Sequence, residues 1–303
     1  METRLMESKK GLESFRGLKS HELTKIQVSD TIIGHGSYTS VLEVEYIGLK
    51  CAGKKVHDML LQQGSSTYPI HRLEEECSLL SQIRHPNIVQ FLGLCMPKES
   101  LAPILVREYL PLNLTSCIEE YRVMPAEISY SILYDVALGL CYLHSQVPPI
   151  IHRDLSSNNI LLDTNMKDKI SDLSVARILN LSPLQVSRMT QTLGTPAHMP
   201  PEVMIACPVY NESVDEFSYG VMMVHVLSGS WPEPQCGPVH TEGGKLTPVS
   251  EAERRNIFLN IVGYDHPLME LILKCLNNDP HERAHANEIV GHLAQMIRKY
   301  PGT

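Results

Sequence analysis

An aspartate and an asparagine five residues apart carry the clearest chemical signal in this sequence. Asp154 and Asn159 stand in the segment 151–162, which reads IHRDLSSNNILL. A carboxylate can orient a hydroxyl group and accept its proton, and an amide oxygen can hold a magnesium ion close by. The pair could therefore activate a hydroxyl nucleophile beside a metal ion. On its own such a pair is more often part of a solvated turn, so its neighbours must decide.

Two glycines and a lysine upstream could hold phosphate groups. Gly34 and Gly36 lie between strand-like runs, where the missing side chains would let backbone N–H groups approach an anion. Lys54 stands thirteen residues after Val41 and could supply a cation. Taken singly, a Gly-x-Gly is a weak signal and a lysine is usually a surface residue.

A glutamate with an inward position favours the functional interpretation of Lys54. Glu76 comes three residues after Leu73 and four before Leu80, which places it on the apolar face of a helical pattern. A carboxylate that points inward needs a cation. We therefore predict that Lys54 pairs with Glu76, and that the two preceding glutamates are solvated.

The elements that position these residues change in character near Pro111. Glycine-broken β-branched runs between residues 25 and 55 predict an antiparallel meander, and residues 68–84 predict a helix. Residues 87–95 and 102–110 predict two further strands. After Pro111 helical periodicity dominates, with a helix that begins at Pro125 and an apolar buried helix over residues 214–228.

Two local signals complete the second half. The Pro- and Gly-rich residues 232–249 predict a loop, and Ser250 with Glu253 forms a capping box for the next helix. The predicted fold class is α+β with two lobes. A small N-terminal lobe has an antiparallel sheet and one main helix, and a larger C-terminal lobe is mainly helical.

Composition narrows the partners. The 303 residues are 43% apolar with a net charge of -8, and no run of five Lys or Arg occurs, which argues against nucleic acid as a partner. Eight cysteines without a Cys-x-x-Cys pair suggest neither a zinc site nor a disulfide scaffold, and reduced thiols favour a cytoplasmic location. We also expect no membrane span, since no stretch reaches the roughly 18 to 20 apolar residues that cross a bilayer.

Together these segments resemble the protein kinase catalytic domain. Residues 151–162 are similar to the kinase catalytic loop His-Arg-Asp-Leu-x-x-x-Asn, and Asp172 in KISDLS resembles the aspartate of Asp-Phe-Gly. Residues 34–41 resemble the Gly-rich loop, and Cys51–Lys54 the Val-Ala-Ile-Lys strand. The motifs keep kinase order over residues 27–297 and are most like the tyrosine kinase-like group, most of whose members phosphorylate Ser or Thr.

The resemblance implies transfer of the γ-phosphate of ATP to protein Ser or Thr hydroxyls in intracellular signalling, with Mg²⁺ as the metal and Mn²⁺ as an alternative. The implied catalytic residues are Asp154, Lys54, Asn159 and Asp172, of which Asn159 and Asp172 bind metal. The implied ATP-binding residues are Gly34, Gly36, Val41, Ala52, Lys54, Glu76, Glu108, Leu110 and Leu161. The structural or regulatory residues are His152, Arg153, Asp215, Glu202, Arg283, Thr190 and Thr192, and Thr195 would dock substrate.

The resemblance also implies three specific roles for the structural and regulatory residues. Glu202 would pair with Arg283, and Asp215 would brace the catalytic loop. Arg153 would bind a phosphate on the activation segment, at Thr190, Thr192 or Ser187. The alternative for these hydroxyls is simple solvation.

Two positions give conflicting indications of whether the substrate residue is Ser/Thr or Tyr. Thr195 in Gly-Thr-Pro-Ala resembles the docking loop of Ser/Thr kinases. Ser156, however, stands where such kinases commonly carry a lysine. Ser/Thr specificity is the preferred prediction, with a tyrosine or dual-specificity kinase as the alternative.

Three residues depart from the family pattern. Thr39 replaces the third glycine of the phosphate loop, and Ser174 replaces the glycine of Asp-Phe-Gly, where a positive φ would add strain of about 1 kcal/mol. Arg107 aligns with the residue that guards the back of the adenine pocket, and a cation there could compete with Lys54 for Glu76. Either that alignment holds, or it is wrong by one residue and Arg107 faces solvent. The first case keeps a nucleotide-binding pseudokinase or scaffold as a rival function.

The predicted boundaries follow from these motifs. Residues 1–26 form a polar N-terminal extension with no assigned function. The kinase domain covers residues 27–297, with the N-lobe at about 27–108 and the C-lobe at about 112–297, and residues 298–303 form a tail.

Overall fold

The computed structural model describes residues 22–36, 38–62, 68–96, 103–179, 198–204, 211–230, 239–242, 245–248, 250–262 and 266–299. The chain forms two compact units. The first extends to Leu110 and includes Asp172–Ser174, and the second comprises Pro111–Ser171 and the chain from Val175 onward. The predicted α+β class, with a sheet-rich first part and a helical second part, is confirmed.

The first unit is an antiparallel five-stranded sheet with strand order β1-β2-β3-β5-β4. Its strands are β1 (Ile26–His35), β2 (Thr39–Tyr46), β3 (Leu49–Val56), β4 (Phe91–Cys95) and β5 (Ile104–Glu108). Helices α1 (Asp58–Gln62) and α2 (Tyr68–Gln82) belong to the same unit. The β-branched residues Val44, Ile104 and Val106 pack together on one side of the sheet, as the period-2 pattern requires.

The second unit is mainly helical. Its helices are α3 (Leu114–Tyr121), α4 (Ala126–His144), α5 (Pro201–Met204), α6 (Ser213–Ser228), α7 (Glu251–Val262), α8 (Met269–Cys275) and α9 (Ala286–Lys299). Its strands are β6 (Leu112–Asn113), β7 (Ile150–Ile151), β8 (Ile160–Leu162), β9 (Asp168–Ile170), β10 (Arg177–Ile178), β11 (Val239–Glu242) and β12 (Lys245–Pro248). Single 3₁₀ turns occur at Ser157–Asn159 and Pro280–Glu282. The helix α6 is buried along almost its whole length, as its apolar sequence predicts.

The predicted loop at residues 232–249 is wrong in part, because β11 and β12 pair there as an antiparallel hairpin. Glu242 pairs with Lys245, and two glycines separate the strands in the sequence. A two-residue Gly-Gly connection is itself a hairpin signal, which the Pro- and Gly-rich composition obscured. The predicted cap of α7 is confirmed, since Glu253 N donates to Ser250 Oγ at 3.2 Å.

Among the described helices, α4 is the one long and apolar enough to cross a bilayer. Its most apolar 18-residue stretch has a mean hydropathy of 1.2, and half of that stretch is buried inside the protein. Length and composition alone do not show a membrane span, so the expectation that the chain has none stays a prediction. Ile132, Leu133, Val136 and Leu140 have no exposed surface and belong to the core of the second unit. Packing in that core accounts for the apolar sequence of α4.

Candidate active site

Lys54 is the centre of an ion-pair cluster in the first unit, in which Lys54 and Glu76 are buried and Asp172 is partly exposed. Strand pairing places it opposite Val41 of β2 and Leu105 of β5. Its Nζ donates to Glu76 Oε2 at 2.8 Å and to Asp172 Oδ1 at 2.8 Å. Lys54 is 6% exposed and Glu76 3% exposed, so each charge depends on its partner.

The charges in this cluster control each other's protonation. Burial raises the pKa of the Glu76 carboxyl, and Lys54 opposes that rise. Burial acts against the ammonium of Lys54, but Asp172 and Glu76 outweigh it and raise its pKa. Burial likewise acts against ionisation of Asp172, and the Lys54 ammonium reverses this and holds its pKa below the usual range. Lys54 and Asp172 are therefore both charged at neutral pH.

The backbone of Asp172 is in the left-handed region, with φ 60°. Its Oδ1 also accepts a hydrogen bond from Ser174 N at 3.2 Å, which turns the carboxylate toward the residues that follow it. The condition under which Ser174 would be strained is not met, because the residue with positive φ in this segment is Asp172. Aspartate tolerates the left-handed conformation better than most side chains. The serine at position 174 adds no strain, because the positive φ is at Asp172 and not at Ser174.

Arg107 points inward from β5. It pairs with Ala52 of β3, and its Nη1 is buried without a hydrogen-bond partner. Burial lowers the pKa of its guanidinium, and the nearby carboxylates of Glu76 and Asp172 oppose this effect. The alternative alignment, with Arg107 in solvent, is therefore excluded. Lys54 nevertheless keeps the hydrogen bond to Glu76.

The glycine-rich loop, residues 34–41 apart from the undescribed residue 37, turns between β1 and β2. Gly36 N donates to Thr39 O at 2.7 Å. A Cβ on Gly36 would lie 2.9 Å from Thr39 Oγ1, whereas one on Gly34 would meet Val41 at an ordinary 3.6 Å. A Cβ on Gly36 would therefore have to displace the hydroxyl of Thr39, whose side chain lies against the glycine.

The other predicted nucleotide residues lie on both units. Ala52 is buried in β3, and Glu108, at the end of β5, accepts a hydrogen bond from Gln90 N at 2.6 Å. Leu110 is the last residue of the first unit before Pro111. Leu161 lies on β8 in the second unit and is half-buried.

Asp154 and Asn159 are held together in the second unit. Asn159 Nδ2 donates to the backbone oxygen of Asp154 at 2.6 Å and to its Oδ2 at 3.0 Å. The 3₁₀ turn at Ser157–Asn159 returns the chain so that the two side chains meet. The carboxylate of Asp154 is therefore oriented by Asn159, and the amide oxygen of Asn159 is available to a cation.

Asp215 of α6 anchors the backbone just before Asp154. Its carboxylate accepts from His152 N at 2.7 Å and from Arg153 N at 2.8 Å. Burial acts against the charge of Asp215, but His144 and then His152 outweigh it and lower the pKa of Asp215. The ring of His152 lies 3.0 Å from Ser171 O, and Arg153 adopts φ 70°. The turn that presents Asp154 is thus fixed from a buried helix.

Glu202 and Arg283 form a bidentate ion pair in the second unit. Arg283 Nη1 donates to Glu202 Oε1 at 2.6 Å and Nη2 to Oε2 at 2.8 Å. Arg283 also donates to Asn277 O and Ser213 O, so its buried guanidinium is well satisfied. This pair connects α5 with the segment that precedes α9.

Comparison with known proteins decides the family. The family model of the protein kinase domain matches residues 28–293, which are 266 of the 303 residues, or nearly nine tenths of the chain. This chain belongs to the protein kinase family. The resemblance stated from its motifs is confirmed.

Curated relatives are kinases of several kinds. The chain is 32% identical over 291 residues to the probable serine/threonine-protein kinase drkC of Dictyostelium discoideum, which covers 91% of this chain and 36% of the relative. It is 31% identical over 293 residues to wall-associated receptor kinase-like 1 of Arabidopsis thaliana, covering 90% and 38%. It is 30% identical over 272 residues to the dual specificity protein kinase shkC of Dictyostelium discoideum, covering 88% and 51%. The chain spans about a third to a half of the length of these relatives.

Some residues of this kinase domain were missed or lie outside the described part. The predicted residues Thr190, Thr192, Ser187 and Thr195 lie outside it. Sequence analysis missed a hydrogen-bonded series in which Thr115 Oγ1 donates to Ser157 Oγ at 3.0 Å and Ser157 Oγ lies 2.7 Å from the buried His225 Nδ1. His144, 3.0 Å from Asp215, was also missed. These partners are 42 to 71 residues apart, so no local pattern could have paired them.

Two residues offer ligands that fit the divalent metal ion that the family uses. Asp172 offers a carboxylate held below its usual pKa, and Asn159 offers an amide oxygen, both hard oxygen ligands that suit Mg²⁺. Within the described residues, no cluster of three His, Cys, Asp or Glu side chains is placed to hold a metal ion. Each of the two side chains thus offers the kind of oxygen ligand that Mg²⁺ takes together with phosphate oxygens and water.

Proposed function

We propose that this chain transfers the γ-phosphate of ATP to serine or threonine hydroxyls of a protein substrate. The observation that carries the proposal is the bridge from Lys54 to both Glu76 and Asp172, at 2.8 Å each. In protein kinases the lysine–glutamate ion pair must be in place for phosphoryl transfer. Here that pair is formed, with Lys54 Nζ 2.8 Å from Glu76 Oε2.

Asp154 is the residue that receives the proton of the substrate hydroxyl. Its carboxylate is fixed by Asn159 Nδ2, and its backbone is fixed through Asp215, so little reorganisation is needed when a hydroxyl arrives. Lys54 would neutralise phosphate oxygens, and Gly36 would let the backbone approach them. Asn159 and Asp172 would hold Mg²⁺, which neutralises charge that develops on the phosphates. Mn²⁺ is the alternative metal.

Ser/Thr specificity is supported by the relatives, several of which are named serine/threonine-protein kinases. Two others are named dual specificity kinases, which keeps tyrosine as a secondary acceptor. Ser156, in the position that commonly holds lysine, is fully buried and its Oγ has no hydrogen-bond partner. The hydroxyl of Ser156 cannot replace a lysine that steers phosphate.

We place this activity in a reducing compartment, in line with the predicted cytoplasmic location. Six cysteines in the described residues are free thiols, five of them buried. Such thiols persist where glutathione keeps them reduced.

The experiment is transfer of labelled phosphate from Mg-ATP to a basic protein substrate, with phosphoamino-acid analysis, for wild type and Asp154→Asn. We expect label on serine and threonine that falls about 10²- to 10⁴-fold in the variant, while ATP binding persists. The matched control is Asp163→Asn, a turn residue that caps the backbone of Asn165 and Lys167. Equal transfer by wild type and Asp154→Asn would contradict the proposal.

Arg107 favours a second candidate, a kinase domain that binds nucleotide and transfers phosphate poorly. The guanidinium of Arg107 adds a cation near Glu76 and Asp172. The family reaction uses those two carboxylates to hold the lysine and the metal, so Arg107 would compete for them. Arg107→Met separates the two functions. If wild type binds ATP without transfer and the variant transfers, the second candidate is correct and Arg107 is its cause.

A further inference from the structure

His57 is the residue that follows β3, and strand register places it beside the glycine-rich loop. The last residue of β3, Val56, pairs with Thr39 at the start of β2. His57 therefore comes opposite Tyr38, and its backbone N donates to Tyr38 O at 3.0 Å. The chain that leaves β3 runs directly along the returning arm of the loop.

The ring of His57 contacts the same loop at two more points. Nε2 lies 3.2 Å from Gly36 O, and Nδ1 lies 3.1 Å from Ser40 Oγ. A carbonyl oxygen can only accept, so Nε2 carries the hydrogen, and Nδ1 then accepts from the Ser40 hydroxyl. One neutral tautomer of His57 satisfies both bonds. His57 is thus bonded to three residues of the loop, Gly36, Tyr38 and Ser40.

The two arms of the loop are paired as strands, with Gly34 opposite Val41 and His35 opposite Ser40. At the turn between them Gly36 has no side chain, and Gly36 N donates to Thr39 O. A loop that receives phosphates must present N–H groups and keep carbonyl oxygens, which repel anions, in fixed directions. The bond to His57 Nε2 fixes the direction of the Gly36 carbonyl.

We propose that His57 is a positioning residue that holds the glycine-rich loop in the conformation that binds the phosphates of ATP. The inference rests on the proposed function for its ligand. It predicts a selective effect: loss of the ring hydrogen bonds weakens binding of the phosphate-bearing nucleotide and leaves binding of adenosine unchanged. A purely structural role would change both affinities together.

The test compares wild type, His57→Phe and the control His71→Phe for binding of ATP and of adenosine by calorimetry. Phenylalanine keeps a planar ring and removes both bonds, and His71 is an exposed histidine on α2. For His57→Phe we expect ATP binding to weaken about five- to tenfold and adenosine binding to change less than about twofold. The control should match wild type. Equal weakening of both ligands, or no weakening of ATP, overturns the proposal.

Hydrogen exchange of the ligand-free proteins supplies a second readout. We expect faster exchange in a peptide that covers residues 33–41 of His57→Phe, and unchanged exchange there overturns the proposal. If His57→Phe does not fold, Ser40→Ala replaces it in the test, because this variant removes one ring bond only. We expect Ser40→Ala to weaken ATP binding more than adenosine binding. A Ser40→Ala protein that weakens ATP and adenosine alike also overturns it. If wild type binds no ATP, the proposed function fails, and the exchange measurement still decides whether His57 holds the loop.

Discussion

Arg283 and Glu202 are joined by two parallel hydrogen bonds of 2.6 and 2.8 Å, with the side chain of Arg283 fully buried. A planar guanidinium matches a carboxylate in this way, and an ammonium cannot. Because the pair is buried, removal of one partner leaves an uncompensated charge, whereas exposed pairs contribute little.

We therefore expect Arg283→Lys to lower the free energy of unfolding by about 2 to 4 kcal/mol. The matched control is Lys274→Ala, which removes the half-exposed Lys274–Glu288 pair at 2.6 Å and should cost less than about 1 kcal/mol. Urea unfolding followed by circular dichroism measures both. Similar losses in the two variants would show that burial does not determine the strength of this pair.

Glu76→Gln should damage both stability and catalysis. The change leaves two buried cations, Lys54 and Arg107, with Asp172 as the remaining carboxylate of the cluster. We expect a loss of about 2 to 4 kcal/mol in unfolding free energy and a fall of about 10²-fold in phosphate transfer. Glu75→Gln, one position earlier and about one third exposed, should change stability by less than about 0.5 kcal/mol. A Glu76→Gln protein as active as the Glu75 control would contradict the role of the ion pair.

Gly36→Ala should weaken ATP binding more than Gly34→Ala. The new Cβ at Gly36 would lie 2.9 Å from Thr39 Oγ1, and the one at Gly34 would make an ordinary contact of 3.6 Å. We expect KM for ATP to rise about threefold or more in Gly36→Ala and to stay within about twofold in Gly34→Ala. The double variant Gly36→Ala/Thr39→Gly removes the contact and should restore KM. Failure of this rescue would show that the contact with Thr39 is not the cause.

Stability should fall on acidification because two buried histidines are neutral in the folded state. Burial lowers the pKa of His198 and of His225 to about 4, while an unfolded histidine has a pKa of about 6.5. Below about pH 6.5 the unfolded chain binds protons that the folded chain does not, so stability is lost down to about pH 4 and the loss then levels off. From pH 7 to pH 5 we expect His198 alone to account for about 2 kcal/mol.

Urea unfolding at pH 7 and pH 5 measures this effect in wild type, His198→Asn and His225→Asn. Each variant should show a smaller drop in unfolding free energy between the two pH values than wild type, whatever its stability at pH 7. His71→Asn changes an exposed histidine and should keep the wild-type drop. An unchanged drop in both buried-site variants would mean that other groups cause the acid sensitivity.

The sequence by itself determined the family, the fold class and the chemistry of single residues. Asp154 and Asn159 are close along the chain, so their types and spacing were enough to single out the pair, and a short turn brings them together. The inward position of Glu76 followed from helical periodicity, which reports the face of a helix that is buried. Pairing with Lys54 then followed from charge, and the two side chains are 2.8 Å apart.

Only the tertiary structure decided which distant groups meet and which way ambiguous side chains point. Lys54 and Asp172 are 118 residues apart, and the direction of Arg107 depends on the register of β5 with β3. The contact of His57 with Gly36 and Ser40 depends in the same way on the register of β2 with β3. Periodicity gives a residue's face but not its partner, because the partner is set by packing and strand register between segments remote in the chain.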